Sequence, residues 1–286
     1  MYVHDERVNQ YTIMEDRMDP KDPFTSLMLI DFMATELCNR VCEFCPRSLD
    51  YPNMNYHMSL PLVRKISEEL GELKYKNRLL FCGFGESLLY KHLLESINIL
   101  KTSMPWQTNI HMVTNGDRLT VKLVKDLIEA GLNRFYVSLY DGEHQVQHFE
   151  EMFSTAGLND DQYFLQHYYL PAEQNFGFVH VSNRAGYLSD FRGVTNAPCN
   201  VPYYAMSINY DGKILLCSHD WNKTQVMGDL NDDSIYDVWI HSKNLNKYRE
   251  FCSKDTRTVE PCKQCNIKGV LYGNKSKDII DEYTQP

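Results

Sequence analysis

Four short apolar runs, at residues 27–32, 78–82, 108–113 and 134–139, limit what this 286-residue chain can become. Each is separated from the next by a stretch with helical signals. After the first, Ser59 and Pro61 supply a cap and a first-turn proline, and Leu62, Ile66, Leu70 and Leu73 make an apolar stripe at helical spacing. A second helix is expected around 92–101 and a third over about 120–130, stopped by Gly131. Runs of strand length that are apolar throughout suit strands buried on both faces. Their alternation with helices means βαβ units and a parallel sheet, an α/β fold. The aromatic-rich run 162–169 supplies a fifth strand and residues 179–186 a sixth. Residues 1–26 are polar and irregular and are expected to wrap the sheet as a strap, with no peptide-binding domain of useful size ahead of the first strand.

The carboxyl ends of such strands are where barrels and open α/β sheets place their chemistry. Here the first strand end carries Cys38, Cys42 and Cys45, spaced C-x3-C-x2-C. Thiolates at this density suit an iron–sulfur cluster or zinc. The bland alternative is a zinc knuckle or three free thiols. Three ligands leave one position of a four-iron cluster unclaimed by protein, and an open position on a metal is where substrate or cofactor binds.

The later strand ends carry polar and glycine-rich turns. Gly83-Phe84-Gly85-Glu86 follows the second: two glycines let backbone approach a ligand, and a strand-end carboxylate can accept from an ammonium. The alternative is a tight strand–helix turn. Thr114-Asn115-Gly116 follows the third and is explained equally by a plain turn. Ser138 lies near the end of the fourth and either meets a ligand or caps a loop. Arg184, beside Asn183 and ahead of Gly186, could bind a carboxylate, a phosphate or substrate hydroxyls, or lie on the surface.

From Pro198 the composition changes. Four cysteines follow: Cys199, Cys217, Cys262 and Cys265. An Asp211-Gly212 hairpin signal lies between the first two, so that Cys217 ends its return strand. A helix over about 235–251 precedes the C-x2-C pair. Four thiolates can complete a cluster and leave no open iron, which suits electron transfer or structure; zinc fits the same donors. Cys82, in an apolar strand, is expected to be a buried small hydrophobe. Cys252 is expected to be free; alternatively it donates a hydrogen atom to a substrate radical or serves as a spare ligand.

The formal net charge of −9 argues against a general nucleic-acid or anionic-membrane surface. No apolar run reaches transmembrane length and the first residues do not read as a signal peptide. Nine cysteines in such a chain point to a reducing, cytoplasmic setting, with metal or redox use favoured over disulfides.

The motif C-x3-C-x-aromatic-C, with Phe44 as the aromatic, resembles the signature of the radical S-adenosylmethionine (SAM) superfamily. The resemblance implies a partial (β/α)6 TIM-like barrel over 27–197. It implies a 4Fe–4S cluster on Cys38, Cys42 and Cys45, whose open iron is chelated by SAM. Reductive cleavage of SAM then gives a 5′-deoxyadenosyl radical that abstracts hydrogen from substrate. Gly83, Gly85 and Glu86 resemble the family's GGE motif, which meets the SAM amino group; Phe84 departs from it. Asn115 lies where the family keeps a T-N-G turn near SAM, Ser138 where it contacts the ribose or carboxylate, and Arg184 where it contacts SAM or substrate. The pattern C-x12-G-x4-C followed by Gly228-Asp229-Leu230 and C-x2-C resembles the SPASM/Twitch extension. That implies one auxiliary 4Fe–4S cluster on the four later cysteines, in a C-terminal domain over 198–286. The layout is similar to members that oxidise a secondary alcohol of a sugar or cyclitol, with an external one-electron donor such as flavodoxin or ferredoxin. Peptide epimerisation or thioether formation is the other enzymatic reading, and a non-catalytic zinc or iron–sulfur module the third.

Overall fold

The apolar run at 27–32 becomes β1, Leu29–Met33, in which every residue is buried. The structure, a computed structural model, describes residues 3–170, 182–188, 194–195, 197–254 and 257–284. Ile30 and Phe32 face the helices and join the main apolar core with Leu62, Ile66 and Leu70 of α2, Leu60–Glu72. Ser59 caps that helix as its sequence requires. The alternate residue, Asp31, points the other way, where Cys82 and Ser207 donate to its two carboxylate oxygens at 3.3 and 3.1 Å. Cys82 is therefore a polar contact on the inner face, half-buried, and not the buried small hydrophobe expected from its neighbours.

β2 (Arg78–Phe81), β3 (Ile110–Thr114), β4 (Arg134–Leu139) and β5 (Tyr163–His167) follow, all parallel. Between them run α2, α3 (Leu93–Ser103), α4 (Val121–Ala130) and α5 (His144–Ala156), the last not foreseen from the sequence. The sheet order is β5-β4-β3-β2-β1-β6-β7-β8. β6 is Ala205–Asn209, the outgoing strand of the hairpin, and it pairs parallel with β1 from Leu29↔Ala205 to Met33↔Asn209. β7 (Lys213–Leu215) and β8 (Val226–Asp229) add antiparallel beyond it. The cysteine-rich C-terminal region thus extends the barrel sheet at its β1 edge. The expected sixth strand at 179–186 falls partly outside the described residues, and its described part, from Ser182, is a run of turns.

The irregular strap is corrected to a helix, α1 (Val3–Asp16). Its Gln10 bonds the Tyr136 hydroxyl at 2.7 Å, and the Arg78 guanidinium lies 4.9 Å from the Tyr11 ring. Arg78 opens its strand, so α1 closes the amino-terminal floor of the barrel and leaves the carboxyl ends open. A short α6 (Val201–Tyr204) leads into β6. The single helix expected over 235–251 is two, α7 (Ile235–His241) and α8 (Lys243–Ser253). Ser242 breaks it because its hydroxyl accepts from Leu245 N–H and donates to the Met227 carbonyl, a cap held by β8. Trp239 of α7 is fully buried and its indole donates to Ser26 Oγ at 3.0 Å. α9 (Asn274–Thr284) packs beside it through Ser276, which donates to the Ser26 carbonyl at 2.9 Å. Among the described residues no helix is long and apolar enough to cross a membrane.

Candidate active site and cluster-binding residues

The first three cysteines occupy the loop that leaves β1, all half-buried. The loop is irregular, and its shape comes from side chains reaching its backbone. Asn53 brackets Cys38, accepting from its N–H at 2.9 Å and donating to its carbonyl at 3.0 Å. Arg47, 7% exposed, donates to the carbonyls of Glu36 and Phe84, the latter at 2.7 Å. Arg40 forks onto two carboxylates, Asp117 at 2.5 Å and Asp141 at 2.6 Å, beyond the ends of β3 and β4. That pairing holds the Asp141 carboxyl below the usual carboxylate range. None of Arg40, Arg47 or Asn53 stood out in the sequence, because their partners are backbone atoms or distant carboxylates. Arg40 and Arg47, as cations inside the cysteine loop, were the only available hint.

The glycine turn docks on this loop. A Cβ at Gly85 would lie 2.5 Å from the Thr35 carbonyl oxygen, so only glycine lets the two backbones approach, and Glu86 N–H donates to the Leu37 carbonyl at 2.8 Å. Gly83 has φ +124 and would press on Met33 if it carried a side chain. The bulky Phe84 between them points away, packing on Trp221 at 4.7 Å between ring centres. The departure from the glycine pattern is therefore absorbed by a side chain that fills the barrel mouth. Glu86 is buried and already engaged. Its Oε1 accepts from Leu88 N–H at 3.0 Å and from the Thr114 hydroxyl at 2.5 Å, and its Oε2 from Asn115 N–H at 2.8 Å. Burial pushes its pKa up and these donors pull it back. Asn115 in turn donates to Asn39 Oδ1 at 2.9 Å, joining the β3 turn to the cysteine loop.

Ser138 is buried and donates to Gln166 Oε1 at 3.2 Å. Phe44 faces Tyr140 at 5.3 Å, and Tyr140 stacks on Tyr168 at 5.7 Å. These rings, with Arg40 and Cys42, line a cleft of about 460 Å³ beside the cysteine loop. Tyr140 and Tyr168 read in sequence as ordinary strand-end aromatics. The charge of Arg184 is felt by Cys45, Tyr140 and Tyr168, and its Nε is buried with no hydrogen-bond partner among the described residues.

The later cysteines form a second group. Burial, with the charges of Cys262, Cys265 and Cys199 within reach, holds the Cys217 thiol well above the ordinary value. Burial likewise pushes Cys199 up to about 11, and Cys42 of the first group up to about 11. Crowded, buried thiols resist ionisation unless cations compensate, which is what bound iron does. A Cβ at Gly269 would sit 2.2 Å from Cys199 Sγ, so glycine keeps that thiol's cradle open. Among the described residues no three His, Cys, Asp or Glu side chains close on a single metal ion. The donor chemistry, thiols alone in each set, is that of an iron–sulfur cluster or zinc. Both sets fit 4Fe–4S clusters, one with three thiols and one with four. Cys252 is 1% exposed and its sulfur lies 3.7 Å from that of Cys262. That position suits a spare ligand better than a hydrogen donor facing substrate.

Known proteins share this arrangement. The profile of the radical SAM superfamily matches residues 33–153, and that of the SPASM iron–sulfur cluster-binding domain matches 199–266. An S-adenosyl-L-methionine-dependent 2-deoxy-scyllo-inosamine dehydrogenase from Niallia circulans is 28% identical over 242 residues, covering 83% of this chain and 92% of that protein. The crystal structure of BtrN in complex with AdoMet and 2-DOIA superposes with a TM-score of 0.73 at 25% identity, over 88% of this chain and 97% of that one. An open conformation of BtrN gives 0.62 at 25% identity, over 84% and 92%. AdoMet-bound anSMEcpe, at 13% identity and a TM-score of 0.55 over 90% and 96%, shares the fold. The chain belongs to the radical SAM superfamily: it is an enzyme with a radical SAM partial barrel and a SPASM-type domain, working with S-adenosyl-L-methionine and 4Fe–4S clusters.

Proposed function

We propose that the chain oxidises a secondary alcohol of a cyclitol or sugar to a ketone. The observation that carries this is the pairing of an open, three-thiol site on the β1 loop with a closed, four-thiol site on the same sheet. When bound, the first cluster supplies the electron that cleaves SAM to a 5′-deoxyadenosyl radical, and the second supplies an acceptor for the electron left on substrate. Cys38, Cys42 and Cys45 hold the first cluster, and Cys199, Cys217, Cys262 and Cys265 the second. The 28% identical relative is named as a dehydrogenase of an aminocyclitol, which favours the small-molecule substrate over a peptide.

The chain's own residues do the positioning. Phe44, Tyr140 and Tyr168 offer ring faces to the adenosyl part of SAM in the cleft beside the loop. Glu86 has one lone pair of Oε2 left for the SAM ammonium, and Gly83 and Gly85 bring the backbone close. Asn115 and Ser138 complete the polar wall at the strand ends. Arg184, whose Nε–H has no partner among the described residues, presents it to an oxygen of SAM or substrate. Substrate lies between this wall and the aromatic group Phe84, Trp221 and Tyr51, whose mutual packing excludes water. Lys223, ion-paired to the buried Glu36, stands at the edge of that group. A flavodoxin- or ferredoxin-type donor in a reducing cytoplasm would deliver the electron.

The test is anaerobic incubation of the reconstituted protein with SAM, reductant and 2-deoxy-scyllo-inosamine or related aminocyclitols. Product two mass units lighter than substrate, with one SAM consumed per turnover, is expected. Substrate-independent SAM cleavage with every cyclitol returned at unchanged mass would overturn the proposal.

Glu86→Gln is expected to weaken SAM binding while both clusters still assemble, because no thiol changes. The amide cannot satisfy all the donors that converge on the carboxylate: whichever way it turns, one N–H meets another N–H or a hydroxyl donor. That mismatch lowers stability; SAM affinity falls because the ammonium loses a charged acceptor, a loss of about 1.5–3 kcal/mol, or roughly ten- to a hundredfold. A SAM dissociation constant equal to wild type would remove Glu86 from the site.

A further inference from the structure

The turn-rich segment 182–188 contacts residues that adjoin both cysteine sets. On the C-terminal side, Asn183 N–H donates to Asn266 Oδ1 at 2.9 Å and Asn266 N–H returns to Asn183 Oδ1 at 3.2 Å. Asn183 Nδ2 donates to the Gln264 carbonyl at 2.6 Å, between Cys262 and Cys265 in the fold. Ser182 Oγ pairs with His219 Nδ1 at 3.1 Å, two residues beyond Cys217. On the barrel side, the Tyr187 hydroxyl donates to Asp50 Oδ1 at 2.6 Å, just past the first cysteine loop. Tyr187 and Cys45 pack against the same apolar cluster of Phe84 and Trp221, so the segment lies beside the first cysteine loop, and between these anchors Arg184 carries its charge within electrostatic reach of Cys45.

The backbone is held in an unfavourable form at the same place. Arg184, Ala185 and Gly186 have φ of 51, 52 and 90, three consecutive left-handed residues of which two carry side chains. Such a conformation persists only where surroundings impose it. Here the imposing contacts are those of Asn183, together with Gly186 N–H and Leu188 N–H, which both donate to the Asn183 carbonyl at 3.1 and 3.0 Å. Gly186 is pressed on the same segment: a Cβ there would lie 2.7 Å from the Gln264 Cβ.

We propose that Asn183 is a positioning residue through which residues 264–266 of the auxiliary cysteine segment hold the turn that carries Arg184 beside the first cysteine loop, so that the C-terminal domain sets the charge felt by the SAM-binding cluster. This rests on the cluster assignment above. A buried cation beside a thiolate ligand stabilises the reduced, more negative cluster and raises its potential. The auxiliary domain then does more than accept an electron: its C-x2-C segment tunes the first site.

The experiment is an EPR-monitored redox titration of the reconstituted full chain, following the signal that added SAM perturbs. Arg184→Ala and Asn183→Ala should each move that midpoint to more negative values, and the double variant should move it no further than Arg184→Ala alone, because both act through one charge. A double variant that shifts by the sum of the two, or an Asn183→Ala protein at the wild-type midpoint, would overturn the proposal. Should Asn183→Ala lose auxiliary iron, Gly186→Ala displaces the same turn by a different contact, and a wild-type midpoint there overturns it equally. Arg184→Ala at the wild-type midpoint overturns it by removing Arg184 from the cluster's surroundings. Failure of the cluster assignment itself would show earlier, as a wild-type protein with no SAM-sensitive signal.

Discussion

Replacing Cys38, Cys42 and Cys45 together with Ala is expected to remove half of the iron from the reconstituted protein and all of its SAM cleavage. Two Cys-held cubanes carry about eight iron atoms per chain, so the variant should hold about four. The fold should survive, because the loop's shape is maintained largely by Asn53, Arg47 and Arg40 acting on backbone and carboxylates. The remaining iron should keep the spectrum of the fully ligated cluster and ignore added SAM. Metal analysis and deoxyadenosine formation read the two parts separately. Iron that stays near the wild-type value would mean that the triad holds no cluster. Tightly bound zinc in place of the residual iron would instead refute the auxiliary assignment on Cys199, Cys217, Cys262 and Cys265.

The parts of this site that were legible in the sequence are those whose signals are local. Thr120 and Gly131 bound α4 because each acts within one turn of itself: the threonine hydroxyl accepts from Leu123 N–H at 3.1 Å, and Gly131 takes φ +118. The Cys38–Cys45 loop and the Cys262–Cys265 turn are local in the same sense, whereas Cys199 and Cys217 lie far from that turn in sequence. What stayed hidden depends on distant partners. α1 has no apolar stripe, and its helix owes its place to Gln10 and Tyr11 meeting the barrel floor. Nothing in residues 205–209 says that β6 will pair with β1, which lies some 175 residues earlier by numbering, and not with a strand near it in sequence. A helical period continues across Ser242, and only the Met227 carbonyl waiting opposite turns that serine into a cap. Tyr140 and Tyr168 look like core aromatics until the loop carrying Phe44 folds back over them.

That geometry also decides how the reaction class should be tested. Oxidation of a secondary alcohol moves one hydrogen atom from carbon to the deoxyadenosyl radical, releases the hydroxyl proton, and leaves one electron to be taken up. Deuterium at the reacting carbon should therefore appear once in deoxyadenosine, in an amount equal to product. The electron needs the four-thiol site, so disabling that site should stop product formation by at least about a hundredfold, a barrier increase of roughly 2.7 kcal/mol, while uncoupled SAM cleavage continues. Cys262→Ala alone is a poor way to do this, because Cys252 Sγ lies 3.7 Å from Cys262 Sγ and can take its place. Pairing Cys217→Ala with Cys262→Ala removes two ligands, more than the one thiol of Cys252 can replace. The doubly substituted protein should retain the SAM-sensitive cluster and release deoxyadenosine without ketone. An epimerase would behave differently at the carbon itself: its product would keep the substrate's mass in ordinary water and gain solvent deuterium in heavy water. Finding that isotope pattern in the wild type, or undiminished ketone from the doubly substituted protein, would sink the dehydrogenase assignment.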